Sequence, residues 1–164
     1  MKNNKVRELT FSALVAALYV ALTFVSFALG ISSGVVQFRL SEALCVLVYL
    51  IPSSVYGLTV GCFLANLLTG CAPLDIIFGA VATFVGALIG SRLKNKFLVP
   101  LPTVLSNAVI VPFVIMYCYS NEHNLGVYFA GLGGVLIGEI AMAYILGMLL
   151  LLALDKNKAF KNLK

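Results

Sequence analysis

Charged residues occur at only a few places along this chain, and long apolar stretches separate them. No Asp, Glu, Lys or Arg occurs in the 30 residues at 9–38 or in the 32 residues at 43–74. A helix needs roughly 20 apolar residues to cross a bilayer, so both stretches can span a membrane. Four crossings with short loops fit before the charged break at residues 92–96, and two fit after it. The pattern therefore predicts six helices, near residues 9–29, 35–51, 54–70, 73–91, 100–120 and 126–154.

Turn-forming residues separate several of these predicted helices. Pro52-Ser53-Ser54 predicts a tight turn between predicted helices two and three. Cys71-Ala72-Pro73 predicts a turn between helices three and four, because proline suits the first turn of a helix. The polar residues 120–124 predict a loop between helices five and six. We expect residues 1–164 to form a single membrane domain.

The composition of the chain agrees with this pattern. Hydrophobic residues make up 62% of the 164 residues and charged residues 10%, whereas a soluble domain carries about 25% charged residues. The sequence therefore predicts an all-α integral membrane protein, a bundle of six transmembrane helices. Soluble enzymes, nucleic-acid binders and secreted disulfide scaffolds are excluded as primary interpretations. The first apolar run, of about 20 residues, is longer than the 7–15 residues of a cleaved signal peptide, so we expect a retained helix.

The basic residues predict how the bundle is oriented. The formal net charge is +5, and ten of the eleven basic residues form three groups at the ends of apolar runs. These groups are Lys2, Lys5 and Arg7; Arg92, Lys94 and Lys96; and Lys156, Lys158, Lys161 and Lys164. Basic residues concentrate on the cytoplasmic side of membrane proteins. We therefore expect both termini and residues 92–96 to be cytoplasmic in a multi-pass plasma-membrane protein that has no nucleic-acid partner.

Cysteine and histidine give no sign of a metal site or a catalytic centre. The four cysteines, which have no Cys-x-x-Cys spacing, are Cys45, Cys62, Cys71 and Cys118. We interpret them as small apolar residues. His123, the one histidine, lies in the predicted outer loop, and the chain has neither a Ser/His pair nor a His-Glu-x-x-His motif. We therefore expect no metal, no cofactor and no enzyme activity.

Six polar or charged residues lie within or at the ends of predicted helices two to six. These are Arg39, Glu42, Asn66, Asp75, Asn107 and Glu139. A charge at the bilayer centre costs about 2.5–3.5 kcal/mol on insertion scales, so such a residue usually faces a cavity or a partner. Glu139 and Asn107 share one depth, roughly 20 Å below the outer surface at 1.5 Å per residue, and the other four lie nearer that surface. Together the six residues predict a polar cavity that opens outward.

Structural alternatives to this cavity remain open for most of the six residues. Arg39 and Glu42 are three residues apart and could pair on one helix face. Asp75 could stabilise the N-terminal turn of predicted helix four. Asn66 and Asn107 could form hydrogen bonds that only join helices. Glu139 is the strongest functional candidate, because no basic residue shares its depth.

A second pattern lies on predicted helix one, where Ala13, Ala17 and Ala21 recur every four residues. Small residues at this spacing leave a flat face against which another helix can pack closely. The partner could be another subunit or another helix of this chain.

Several motifs together resemble the queuosine-precursor transporter (QueT) family, over nearly the entire chain. The most specific is the segment at residues 36–44, which contains Arg39-Leu40-Ser41-Glu42-Ala43-Leu44. Others are Asn66-Leu67-Leu68-Thr69-Gly70, Pro73-Leu74-Asp75-Ile76-Ile77-Phe78-Gly79, Pro100-Leu101-Pro102 with Asn107, and Gly138-Glu139. The six predicted helices and the alanine motif resemble, more broadly, the substrate-binding S component of an energy-coupling-factor (ECF) transporter.

The resemblance implies a mechanism and partners. An S component binds its substrate from outside, associates with a transmembrane coupling subunit and two cytoplasmic ATPases, and topples in the membrane to release the substrate inside. Ala13, Ala17 and Ala21 would then dock the coupling subunit. The chain contains no Gly-x-x-x-x-Gly-Lys-Ser/Thr phosphate loop, so we expect the ATPases to be separate subunits.

The resemblance also implies a 7-deazaguanine substrate such as queuine or one of its biosynthetic precursors. One carboxylate would accept the N1–H and the exocyclic amine, an Asn or Arg would donate to the carbonyl oxygen, and aromatic rings would stack on the base. The implied binding residues are Glu139, Asn107, Asp75, Asn66, Glu42, Arg39, Phe38 and Phe78. Three other functions stay open: an S component for another heterocyclic vitamin such as thiamine, a solitary carrier with Glu139 as a proton relay, and an intramembrane enzyme.

Overall fold

A computed structural model describes residues 2–32 and 36–156 of the chain, and every element within them is helical. The α-helices are α1 (Lys2–Ala28), α2 (Ser54–Leu68), α3 (Pro73–Gly90), α4 (Leu101–Cys118), α5 (Leu125–Glu139) and α6 (Gly147–Asp155). A ten-residue 3₁₀ helix (Leu40–Tyr49) lies between α1 and α2, and a short 3₁₀ turn (Lys96–Leu98) precedes α4. A π-helical segment (Ile140–Leu146) joins α5 to α6 without a break.

The predicted all-α class is confirmed for the described residues, and the helical segments occur in the predicted order. Within residues 2–32 and 36–156, four stretches are long and apolar enough to cross a membrane: Lys5–Ala28, Pro73–Gly90, Lys96–Cys118 and Leu125–Asp155. The predicted turns at residues 52–54, 71–73 and 120–124 are also present, and Pro73 is the first residue of α3. Predicted helix six is a composite of α5, the π-helical segment and α6.

Predicted helix two differs from the structure in its start and in its type. It begins at Leu40 rather than near residue 35, and it is a 3₁₀ helix. Arg39 has an extended backbone, and the amides on either side of it bond outside the helix. Phe38 N donates to Ile31 O at 2.8 Å, and Leu40 N donates to Ser26 Oγ at 2.9 Å. These partners outside the helix take the place of the bonds that an earlier helical turn would have made.

The 3₁₀ helix forms the centre of the bundle. Its residues 41–48 are all buried, and it contacts α1, α2, α3, α6 and the π-helical segment. The helices α1 to α5 pack consecutively against one another around it. An element that is covered on every side needs apolar residues on every side, which explains the uniformly apolar residues 43–48.

The bundle has one end that is rich in basic residues, which we call the basic end. Lys96 Nζ lies 3.0 Å from Asp155 Oδ2, so the loop at residues 92–96 adjoins the end of α6. Ser12 Oγ, in the first half of α1, donates to Ser53 O at 2.8 Å. At the opposite end, the turn at residues 71–73 meets the end of α4, where Ala72 N donates to Tyr119 Oη at 3.0 Å. Lys158, Lys161 and Lys164, which the orientation prediction also used, lie outside the described residues.

Large apolar side chains cover much of the outer surface of the helices. Examples are Leu14 and Val25 on α1, Ile77 and Ile89 on α3, and Leu149 on α6. Exposed apolar surface on this scale marks contact with a membrane or a partner. It agrees with a multi-pass membrane protein.

Candidate functional site

A small cavity lies between the 3₁₀ helix, α2, α3, α4 and α5, and most of its lining side chains are polar; we call it the polar cavity. Its volume is about 20 Å³, enough for about one water molecule. Ten residues line it: Gln37, Arg39, Glu42, Cys62, Gly79, Thr83, Asn107, Val111, Val135 and Glu139. Four of the six polar residues identified from the sequence are therefore in the lining.

Glu139 and Asn107 are hydrogen bonded to each other inside the polar cavity. Asn107 Nδ2 donates to Glu139 Oε1 at 2.7 Å. Both residues are buried: Asn107 is 4% exposed and Glu139 is 8% exposed. Glu139 Oε2 is buried and has no hydrogen-bond partner among the described residues. The pair therefore offers one carboxylate oxygen to a bound molecule.

Glu42 faces the same cavity from the first turn of the 3₁₀ helix. Its Oε1 accepts a hydrogen bond from the hydroxyl of Tyr19, a fully buried residue of α1. Its Oε2 is buried without a partner in the described part of the chain. Glu42 and Glu139 thus have the same arrangement, in which one oxygen is bonded within the protein and the other is unpartnered.

Arg39 supplies the positive charge of the polar cavity. Its Nη2 donates to Asn66 Oδ1 at 2.6 Å, and Asn66 Nδ2 donates to Asp75 O at 3.2 Å. Arg39 Nε is buried and has no hydrogen-bond partner in the part of the chain that the structure describes. Arg39 therefore bonds to Asn66 rather than to Glu42. The ion pair that the structure has among the described residues is the one between Lys96 and Asp155. The alternative in which Arg39 and Glu42 pair along one helix face is not what the structure has.

Asp75 lies beside the polar cavity rather than in its lining. It is in the first turn of α3, and Tyr119 Oη donates to its Oδ2 at 2.9 Å. Partial burial, together with the neighbouring Asp75 carboxylate, raises the pKa of the Tyr119 hydroxyl above its ordinary value. Asp75 therefore connects the start of α3 to the end of α4, and its position also fits the helix-stabilising alternative.

Phe38 and Phe78 are likewise absent from the lining of the polar cavity. Phe78 is exposed and lies in an apolar groove on the outer surface between α3 and α4. Phe38 is half-buried and follows Gln37, which does line the cavity. The structure thus brings together Arg39, Glu42, Asn107 and Glu139, with Asn66 behind Arg39, and it places Asp75, Phe38 and Phe78 at the edge or outside.

Sequence reasoning missed several residues of this site. Gln37 and Thr83 line the cavity, and Tyr19 supports Glu42 from α1. A tyrosine or threonine in an apolar helix gives no distinct signal. Gly138 gives a clearer sequence signal, since it is a glycine that directly precedes Glu139. In the structure, a Cβ at position 138 would collide with Gln37 O. Its lack of a side chain lets the segment that carries Gln37 approach α5.

The described residues contain no group of three or more His, Cys, Asp or Glu side chains that could hold a metal ion. The cavity instead combines two carboxylates, one guanidinium and two amides, with apolar Val111 and Val135 beside them. This donor and acceptor set suits an organic ligand that carries several N–H groups and an acceptor oxygen.

Comparison with known proteins gives two matches. A family model described as "QueT transporter" matches residues 9–156. The chain is also 35% identical over 97 residues to a protein of Lactococcus lactis subsp. cremoris (strain MG1363) named "Queuosine precursor transporter QueT". That match covers 59% of this chain and 57% of the relative, so the chain spans little more than half of the relative's length. No solved structure matches the chain.

Proposed function

Since the chain belongs to the QueT transporter family, we propose that it binds a queuosine precursor, a 7-deazaguanine base, in the polar cavity. It takes the base from outside the cell as the S component of an ECF transporter. A transmembrane coupling subunit and two ATPases then drive uptake.

The observation that carries this proposal is that three buried polar atoms of the cavity-lining residues have no hydrogen-bond partner among the described residues. Glu42 Oε2 and Glu139 Oε2 are two acceptors, and Arg39 Nε is a donor. A buried polar group without a hydrogen bond costs about 1–3 kcal/mol, and more when it is charged. A ligand that bonds to these atoms removes that cost, so the cavity favours a ligand with two donors and an acceptor.

A 7-deazaguanine base has these groups. Its N1–H and exocyclic amine are adjacent donors, and its ring carbonyl is an acceptor. Each carboxylate keeps one unpartnered oxygen, so the two acids can take one donor each, and Arg39 can donate to the carbonyl. A precursor with an aminomethyl cation gains a charge interaction with the carboxylates.

The polar cavity has to widen when such a base enters. Its volume of about 20 Å³ is far below the roughly 300 Å³ of the smallest ordinary ligand pockets. For Phe38 to stack on the base, its ring has to turn inward as the cavity opens. For Phe78 to stack on the base, its ring has to leave the apolar groove on the outer surface. Phe38 is the better placed of the two, because it adjoins Gln37.

The coupling subunit docks on the alanine face of α1 in this proposal. Ala13, Ala17 and Ala21 are all exposed in the single chain. Within the chain, α2 packs against a different face of α1, the one that carries Tyr19. The contact is so close that a Cβ added at Gly61 of α2 would lie 2.7 Å from Tyr19 Cβ. The alanines are therefore free to contact another helix closely.

We further propose six crossings, with both termini at the cytoplasmic side. The 3₁₀ helix rises about 20 Å at roughly 2.0 Å per residue, and α2 rises about 22 Å at 1.5 Å per residue. Both are shorter than the bilayer core of about 30 Å. Burial inside the bundle makes the short 3₁₀ helix tolerable, because protein groups surround its polar backbone.

The proposed ligand can be tested with the purified chain. Calorimetry is carried out with queuine, 7-aminomethyl-7-deazaguanine, 7-cyano-7-deazaguanine and thiamine. We expect binding of at least one deazaguanine and none of thiamine. Mass spectrometry of small molecules that co-purify with the chain gives an independent identification. Binding of thiamine alone, or of none of the four compounds, would contradict the proposal.

The proposed partners can be tested in cells. Uptake of the bound deazaguanine should stop when the ATPase subunits are deleted, and it should persist when an uncoupler removes the proton gradient while ATP is maintained. The opposite result would support the solitary carrier with Glu139 as a proton relay.

A further inference from the structure

Glu42 is held in place by a side chain that does not line the polar cavity. Tyr19 is fully buried on α1, and its hydroxyl donates to Glu42 Oε1. This bond leaves Glu42 Oε2 as the unpartnered acceptor. The orientation of the carboxylate therefore depends on a residue one layer behind the cavity.

Tyr19 is one of three α1 residues, with Thr23 and Ser26, that form what we call the α1 hydroxyl row. Their spacing of four and three places them on one face of the helix. They meet three consecutive residues at the start of the 3₁₀ helix. Ser26 Oγ accepts from Leu40 N at 2.9 Å, the hydroxyls of Thr23 and Ser41 lie 2.9 Å apart, and Tyr19 bonds to Glu42.

Close packing fixes the position of Tyr19 itself. A Cβ at Gly61 of α2 would lie 2.7 Å from Tyr19 Cβ and 3.0 Å from Ala16 O. One turn earlier, Gly57 approaches Ser12 O closely. Because α1 and α2 are in backbone contact here, the Tyr19 ring has little freedom to move away from Glu42.

We propose that Tyr19 is a positioning residue of the binding site, whose hydroxyl orients Glu42 so that Oε2 is presented to the ligand. This inference rests on the proposed function, because it assumes that the polar cavity binds a deazaguanine base. Tyr19 acts through Glu42 and does not contact the base.

The test is a double-mutant cycle on the purified full chain, with queuine and 7-aminomethyl-7-deazaguanine as probes. Tyr19→Phe keeps the buried ring and removes only the hydroxyl. We expect it to weaken binding by roughly 5-fold to 50-fold, because Glu42 is then free to turn and part of the ligand's hydrogen bond to its charged oxygen is lost. In a Glu42→Gln background, the same change should weaken binding by less than about 3-fold, because the oriented charge is already absent.

Tyr144→Phe is the matched control. Tyr144 is half-buried on the π-helical segment and packs against core residues outside the lining of the polar cavity. Removing its hydroxyl should leave both affinities unchanged. If Tyr19→Phe is not recovered in detergent, the affinities are measured on membrane vesicles and normalised to the amount of protein.

The outcomes separate this inference from the proposed function. An equal loss in both backgrounds, or no loss in a stable Tyr19→Phe variant, would overturn the role of Tyr19 while the binding site stands. If the unsubstituted chain binds neither base, the proposed function fails, and the role of Tyr19 fails with it.

Discussion

At the scale of single residues, the chemistry of the polar cavity depends on which carboxylate oxygens are already hydrogen bonded. Asn107 bonds to Glu139 Oε1 and Tyr19 bonds to Glu42 Oε1. Each acid is thereby fixed in one orientation and keeps one acceptor. Two fixed acceptors are more selective than two mobile carboxylates, because a ligand must place its donors to match both.

Replacement of Glu139 by Gln should weaken deazaguanine binding by roughly 10-fold to a few hundred-fold. Gln keeps the shape, but its amide can place a donor where the ligand also donates, and a hydrogen bond to a charged group is worth about 1.5–3 kcal/mol. Calorimetry on the purified variant measures the change, and thermal unfolding shows whether the fold is intact. The control is Glu122→Gln in the exposed loop. Unchanged affinity in a stable Glu139→Gln variant would leave Glu42 as the main acidic ligand.

A methyl group at Gly138 should disturb the same site through the backbone. Ala at this position would collide with Gln37 O, so the segment that carries Gln37 and Arg39 has to move. Overpacking of this kind costs about 1–3 kcal/mol, and we expect both the melting temperature and the affinity to fall. Gly133→Ala on the same helix is the control, since a Cβ there meets nothing within 4 Å. Equal behaviour of the two variants would show that close approach at Gly138 is not needed.

Some of these residues could be found from the sequence and others could not. Glu139 and Asn107 are conspicuous because each is a polar group deep in an apolar helix, and their shared depth places them together. Tyr19 and Gln37 have no such mark, since tyrosine is common in apolar helices and Gln37 precedes the 3₁₀ helix. Their contacts depend on how α1 and residues 36–39 pack, which is long-range information that local patterns do not contain.

At the scale of elements, two unusual helices adjoin the two acids. Glu42 lies in the first turn of the 3₁₀ helix, and the π-helical segment begins directly after Glu139. A 3₁₀ helix of ten residues is long for its type, and π-helical segments frequently occur at functional sites. Hydrophobic pattern locates a helix but does not distinguish these types when every side is apolar. The sequence therefore indicated the positions of the segments but not their helix type.

The alanine face of α1 gives a prediction at this scale. Ala17→Trp should block assembly with the coupling subunit and abolish uptake, because a bulky ring prevents close approach of the two helices. Deazaguanine binding to the isolated chain should be unchanged. Co-purification with the coupling subunit measures assembly, and Ile89→Trp, on the exposed face of α3, serves as the control. If Ala17→Trp abolished binding while the complex still assembled, the alanine face would have an internal role.

At the scale of the whole molecule, the contacts between segments agree with an even number of crossings after the loop at residues 92–96. Lys96 and Asp155 are paired at the basic end, although two long apolar stretches separate them. The turn at residues 71–73 and the end of α4 meet at the opposite end. After Lys96 the chain thus runs to the opposite end of the bundle and comes back to the basic end at Asp155.

The orientation itself gives the prediction for the whole molecule. In a background without the four native cysteines, Lys94→Cys should be protected from a membrane-impermeant thiol reagent on intact cells, and His123→Cys should be labelled. Position 94 is at the basic end, which we expect in the cytoplasm, whereas position 123 is in the exposed loop between α4 and α5. Labelling after permeabilisation is the control, because it shows that both cysteines are reactive. Labelling of position 94 but not of position 123 on intact cells would show that the orientation of the bundle is the reverse of the one proposed. The polar cavity would then face the inside of the cell. A binding protein that captures its substrate from outside is incompatible with that orientation, so one measurement tests both the topology and the proposed direction of transport.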